Sequence, residues 1–138
     1  MALLQGQQLF TVAPGDFVTS EAGGVAEWAI LLPKGAIWKI DTFWVTAQTN
    51  YAAQGTNYEV WNLTDSSGNT IATISNASTG VAIGPVTTGT DTSMVAAYQY
   101  IDCSDAEAVL LVKTAETGAG RVMSGVQCYV LATPQRRV

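Results

Sequence analysis

The chain alternates between apolar and polar residues at a period of two, and clusters of Gly, Pro, Asn, Asp and Ser break that alternation into short runs. A short strand is expected near Leu9–Val12, and Pro14-Gly15-Asp16 then turns the chain. Ala26, Trp28, Ile30 and Leu32 fall on one side of the next strand, which ends at the compact turn Pro33-Lys34-Gly35. From Ile37 to Thr46 strict alternation puts Trp38, Ile40, Thr42 and Trp44 on one face. Ile37, Lys39, Asp41, Phe43 and Val45 then fall on the other, so this strand is expected to pass from an exposed edge into the core. Two β-rich runs, Tyr58 to Leu63 and Thr70 to Ile74, flank Asp65-Ser66-Ser67-Gly68-Asn69 and predict a hairpin.

Further along, weaker signals predict strands near Val81–Val86 and from Met94 to Ile101. The apolar run Ala108 to Thr114 reads as a strand covered on both faces. In the last strand Val122, Val126, Cys128 and Val130 share one face, and Met123, Gln127, Tyr129 and Leu131 share the other. No stretch carries a helical period, no βαβ rhythm is present, and no linker or repeat divides the chain. The expectation is an all-β, single-domain antiparallel β-sandwich over 1–138, jelly-roll-like, with eight or nine strands. An N-terminal arm (about 1–12) and a C-terminal tail (134–138) extend from it.

Composition narrows what such a sandwich does. Charged residues are 12% of the chain against 48% hydrophobic, whereas soluble domains average about 25% charged. The surface must therefore be built from Thr, Ser, Asn, Gln and Gly. The net charge is −5, and the six basic residues are scattered apart from Arg136-Arg137, which disfavours nucleic acid as a partner. No apolar run approaches the ~20 residues of a spanning helix, and the first ten residues do not read as an export signal. Cys103 and Cys128 are accordingly expected as reduced thiols, a disulfide being the lesser alternative.

The chain has no histidine, which removes Ser-His-Asp and Cys-His nucleophile pairs, the usual zinc sites and the commonest general base. A hydrolase using two carboxylates stays open, since eleven acids are present. Asp102-Cys103-Ser104-Asp105-Ala106-Glu107 and the Asp65–Asn69 turn offer oxygens to a cation but lack calcium-loop spacing, and turn capping is favoured. Trp28, Trp38, Trp44 and Trp61 sit in predicted strands, which favours core or interface over sugar stacking. The sequons at Asn62 and Asn76 carry little weight in a Ser/Thr-rich chain. No catalytic, metal or cofactor residues are assigned.

The run Leu32-Pro33-Lys34-Gly35-Ala36-Ile37-Trp38-Lys39-Ile40, followed by an aromatic strand and then by Thr56-Asn57-Tyr58-Glu59-Val60-Trp61-Asn62-Leu63-Thr64-Asp65-Ser66-Ser67-Gly68-Asn69-Thr70-Ile71-Ala72, resembles the small jelly-roll capsid decoration (cement) proteins of tailed bacteriophages. The resemblance is one of layout over residues 25–132. Fibre tips, receptor-binding jelly rolls and carbohydrate-binding modules share such layouts. It implies a non-enzymatic virion protein made in the host cytoplasm, a homotrimer on the capsid exterior that ties subunits of the major capsid protein together and stabilises the head. Leu3, Leu4, Leu9 and Phe10 in the arm, and Arg136 and Arg137 in the tail, are then the candidate contacts with coat or neighbouring subunits. The alternative is a carbohydrate-binding jelly-roll module or a phage fibre or receptor-binding domain.

Overall fold

The computed structural model describes residues 6–17, 27–78, 80–85, 89–91, 94–117 and 123–135. Among the described residues nine strands follow one another: β1 (Gln8–Phe17), β2 (Glu27–Leu32), β3 (Ile37–Thr46), β4 (Tyr58–Thr64), β5 (Thr70–Ser75), β6 (Gly89–Asp91), β7 (Tyr100–Asp102), β8 (Ala108–Thr117) and β9 (Met123–Gln135). They form two antiparallel sheets. Sheet A runs β1-β9-β3-β6, with β7 also paired to β3, and sheet B runs β2-β8-β4-β5. Pairing is nested: β4 with β5, β3 with β6 and β7, β2 with β8, and β1 with β9. That is the path of one long hairpin rolled into two layers, which makes the sandwich a jelly roll.

The layers close on a shared apolar interior. Ile30, Leu32, Trp61, Leu63, Ile71, Leu110 and Val112 come from sheet B, and Ile40, Phe43, Val45, Val126, Cys128 and Val130 from sheet A. Each large side chain taken fully out of water contributes about 1.5–3 kcal/mol. Trp61 stacks on Trp28 at 5.8 Å, and Trp38 donates its indole N–H to Pro33 O at 3.0 Å, which secures the Pro33–Gly35 turn. The predicted hairpin is present. The Asp65 carboxylate accepts the Ser67 and Asn69 backbone N–H groups at 3.0 and 2.9 Å, while Gly68 takes a φ of 89° that suits glycine.

Register shifts in β3, β9, β1 and β5 set the inward faces. In β5, Leu63 faces Ala72 and Thr64 faces Thr70, so Ile71 is the extra residue and is buried beside Ala72. In β3, Ile40 lies opposite Ala132 and Thr42 opposite Leu131, so Asp41 is an extra residue. The extra residue reverses the alternation. Trp38, Ile40, Phe43 and Val45 all point inward, and Trp44 points out with Thr42, contrary to the strict period-two expectation. The bulge is braced on both sides. Ile40 N–H donates to Gln99 O, the Gln99 side-chain amide donates to Ile40 O, each at 2.9 Å, and the Asp41 carboxylate accepts from Thr133 Oγ1 (2.6 Å) and Gln7 Nε2 (3.0 Å).

In β9 the irregularity lies at Ser124–Gly125, where Gly125 has φ 60°. Met123 therefore turns inward with Val126, not outward with Gln127 as the alternation suggested. In β1 the shift falls at Ala13–Pro14, so Pro14-Gly15 is a bulge within an edge strand, where proline is tolerated, and not a turn.

Four other expectations change. The short strand expected at Leu9–Val12 is present but longer: β1 starts at Gln8 and is held to β9 by the pairings Gln8↔Ala132 to Val12↔Cys128, so the arm expected over about 1–12 is strand from Gln8 onward. Residues 81–85 form no strand beyond the single bridge of Ile83 to Tyr51. The segment Met94–Ile101 is a 3-10 turn at Ala96–Tyr98 followed by β7. Finally, β8 is covered on one face only: Leu110 and Val112 are buried, but Val109 remains 36% exposed.

Replacing Gly125 by Ala is expected to destabilise the fold by about 1 kcal/mol or more, because φ is positive there and a Cβ would sit 2.8 Å from Gln48 Cβ. Denaturant unfolding measures this. For Asp65, burial acts to raise the carboxyl pKa, but the hydrogen bonds from Asn69, Ser67 and Gly68 outweigh it and leave it lowered. The stabilisation is thus full above the unfolded value of 3.8 and is lost as pH falls through the folded value. Asp65→Ala should cost about 1 kcal/mol at neutral pH, and thermal melts of the two proteins should converge at acid pH.

Candidate binding surface

The outward residues of sheet A form a grid fixed by the strand register. Across one row stand Tyr100, Lys39 and Thr133; across the next, Thr42, Leu131 and Leu9; across the third, Trp44, Tyr129 and Thr11; and Thr46 lies beside Gln127. Trp44 and Tyr129 stack face to face, centroids 4.9 Å apart and planes 8° from parallel. The Tyr129 hydroxyl donates to Gln127 Oε1 and accepts from Thr46 Oγ1 at 3.5 Å. Tyr100 is 54% exposed and Leu9 52%. Among the described outward residues of β1, β3, β7 and β9 from Lys39 to Thr46, only Lys39 and Asp41 carry charge, and the Asp41 carboxylate is held by Thr133 and Gln7. A broad face with an aromatic pair at its middle, ringed by aliphatic and hydroxyl groups, has the make-up of a protein interface centre.

The outer face of sheet B is narrower and aliphatic. Leu31 (53% exposed) lies opposite Val109, and Ala29 opposite Leu111. A polar row runs beside them, with Glu27 3.6 Å from Lys113 and Thr73 Oγ1 donating to Asn62 Oδ1 at 2.8 Å.

Of the residues proposed as contacts, Leu9 stands in the sheet A grid. Phe10 does not: pairing of β1 with β9 turns it inward, where its ring meets Trp38 edge-on at 5.2 Å. It packs, partly buried, against this chain's own core. Leu3, Leu4, Arg136 and Arg137 lie outside the described residues. Trp44, Tyr129, Leu131 and Tyr100 were not singled out as contacts from the sequence. The grouping of Tyr129 and Leu131 with Gln127 on one face of β9 was a signal for two of them; the β3 bulge hid Trp44.

Asp102 accepts from the Ser104 backbone N–H at 2.9 Å, as turn capping predicts, and Glu59 is shut inside the sandwich. Asn76 is also buried and donates to Tyr51 O and Val81 O, which removes its sequon from any modifying enzyme in the folded state. Trp28, Trp38 and Trp61 belong to the interior or its margin, and Trp44 shares one ring face with Tyr129, so the indoles make no flat row of the kind that sugars stack upon.

No protein-family model matches the chain, and no curated protein matches it. Among solved structures, a chain in the structure of infectious bursal disease virus Gx strain is similar, with a TM-score of 0.48 and 8% identity over 96% of this chain and 33% of that one. This chain thus spans about a third of that chain's length.

Cys103 and Cys128 are free thiols buried in the sandwich. Burial pushes both thiol pKa values up, strongly at Cys128, and at Cys103 the Asp102 charge adds to the rise. An aromatic disulfide reagent should leave both thiols unmodified in the native protein and titrate both after denaturation. Rapid labelling of the native chain would contradict their placement.

Proposed function

We propose that this chain is a structural virion protein that decorates the outside of a tailed-phage head, acting as a non-catalytic homotrimer that ties subunits of the major capsid protein together. The observation that carries this reading is the stretch of sheet A's outer face from Lys39 to Thr46, where Lys39 and Asp41 are the described outward charges and the stacked Trp44–Tyr129 pair stands at the centre. Such a face suits contact with another protein surface and suits neither polyanions nor a reaction centre. The jelly-roll topology and the layout shared with decoration proteins support the same role. A sandwich with apolar patches on both outer faces can bridge neighbouring subunits, and several weak contacts per oligomer add up through avidity. Neither nucleic acid, membrane nor cofactor enters this function.

Co-sedimentation tests the proposal. The purified chain is mixed with assembled heads, lacking the protein, of the phage whose genome carries this gene. The chain should pellet with the heads and raise the temperature at which they rupture. Failure to pellet, combined with tryptophan fluorescence changes on titration with oligosaccharides, would overturn this function in favour of a sugar-binding module.

A further inference from the structure

We infer that the outer face of sheet A is the surface through which copies of this chain associate with one another, leaving the Leu31–Val109 strip of sheet B for a different partner. The assignment of that strip to the coat rests on the proposed decoration role; the self-association does not.

Charge gives the first reason. Each copy carries a net charge of −5, so the least costly contact between two copies is one that adds no like charges of its own. Along β1, β3, β7 and β9 from Lys39 to Thr46 the described outward charges are Lys39 and Asp41, which cancel. Acids lie elsewhere: Glu27 on sheet B, Asp65 in the hairpin turn, and Asp102, Asp105 and Glu107 at and after β7, beyond this stretch.

Size gives the second. Strand spacing and rise make the grid roughly 26 Å by 19 Å, or about 500 Å² in projection before side-chain relief. That is below the about 800 Å² of accessible surface per partner found in stable interfaces, so the grid forms the centre of the contact and not all of it. The Leu31–Val109 strip spans two strands only.

Symmetry gives the third. The two apolar surfaces lie on opposite sides of the sandwich. A closed oligomer turned about one axis with sheet A toward that axis leaves the sheet B strip facing away from it, free for another partner. The Trp44–Tyr129 stack holds both rings in place before contact, which lowers the ordering cost of using them as anchors.

Sedimentation velocity tests this over a concentration series. The wild-type chain should run as a multiple of 14.5 kDa. The double variant Leu9→Asp, Tyr100→Asp places two charges on exposed positions of the grid and should weaken association about 10- to 100-fold. Circular dichroism and thermal melts verify that it remains folded. Leu31→Asp, Val109→Asp, on the opposite face, should keep the wild-type mass. A wild-type monomer at every concentration, an unchanged mass for the sheet A variant, or dissociation of the sheet B variant would each overturn the inference. Head binding is read separately: a wild-type monomer that still pellets with heads sinks the self-association and the trimeric form of the proposed function, and leaves capsid binding standing.

Discussion

The bulge at Asp41 is the constraint on which the rest of this molecule turns. A strand that alternates without interruption would put Trp38 and Ile40 on one side of sheet A and Phe43 and Val45 on the other. One extra residue brings all four into the interior. The same step lifts Trp44 onto the outer surface, where it meets Tyr129. The inner packing and the outer aromatic pair are thus two consequences of one irregularity. It is held in place by Gln99 on one side and by the Asp41–Thr133–Gln7 contacts on the other.

The bulges in β9 and β1 do related work at the other end of the strands. The Ser124–Gly125 irregularity turns Met123 inward and presents backbone groups to the loop after β3. There the Tyr51 hydroxyl accepts Ser124 N–H at 2.8 Å, and Gln48 N–H donates to Ser124 O at 2.8 Å. Asn76 then links that loop to the segment after β5. Polar groups freed where strands depart from regular pairing are satisfied by named partners across the fold, so the loops are integral to the sandwich.

A surface poor in charge has physical consequences. Charged side chains on an outer sheet face ordinarily discourage unwanted contacts. This chain has few of them, and its outer faces carry Leu9, Tyr100, Leu31 and Val109 in water. Exposed apolar area of that kind is unfavourable for an isolated monomer and useful in an assembly. Which residues stand on those faces is set by which ones the bulges turn outward.

By itself the sequence determined the class of fold, the Pro33–Gly35 turn, the Asp65–Asn69 hairpin and the membership of most strands, because each rests on local signals: alternation, turn residues and β-branched runs. The inward set Val126, Cys128 and Val130, and the outward set Gln127, Tyr129 and Leu131, were legible for the same reason. Only the tertiary structure decided the faces of β3, the inward turn of Met123 and the conversion of Pro14-Gly15 from turn to bulge. It also decided the packing of Phe10 against the core and the exposure of one face of β8. A bulge is a mismatch between two strands, and its place depends on the partner's register as much as on its own residues. Asp41 looks like one polar residue among alternating neighbours until β9 lies beside it, and with its position goes the face on which Trp44 stands.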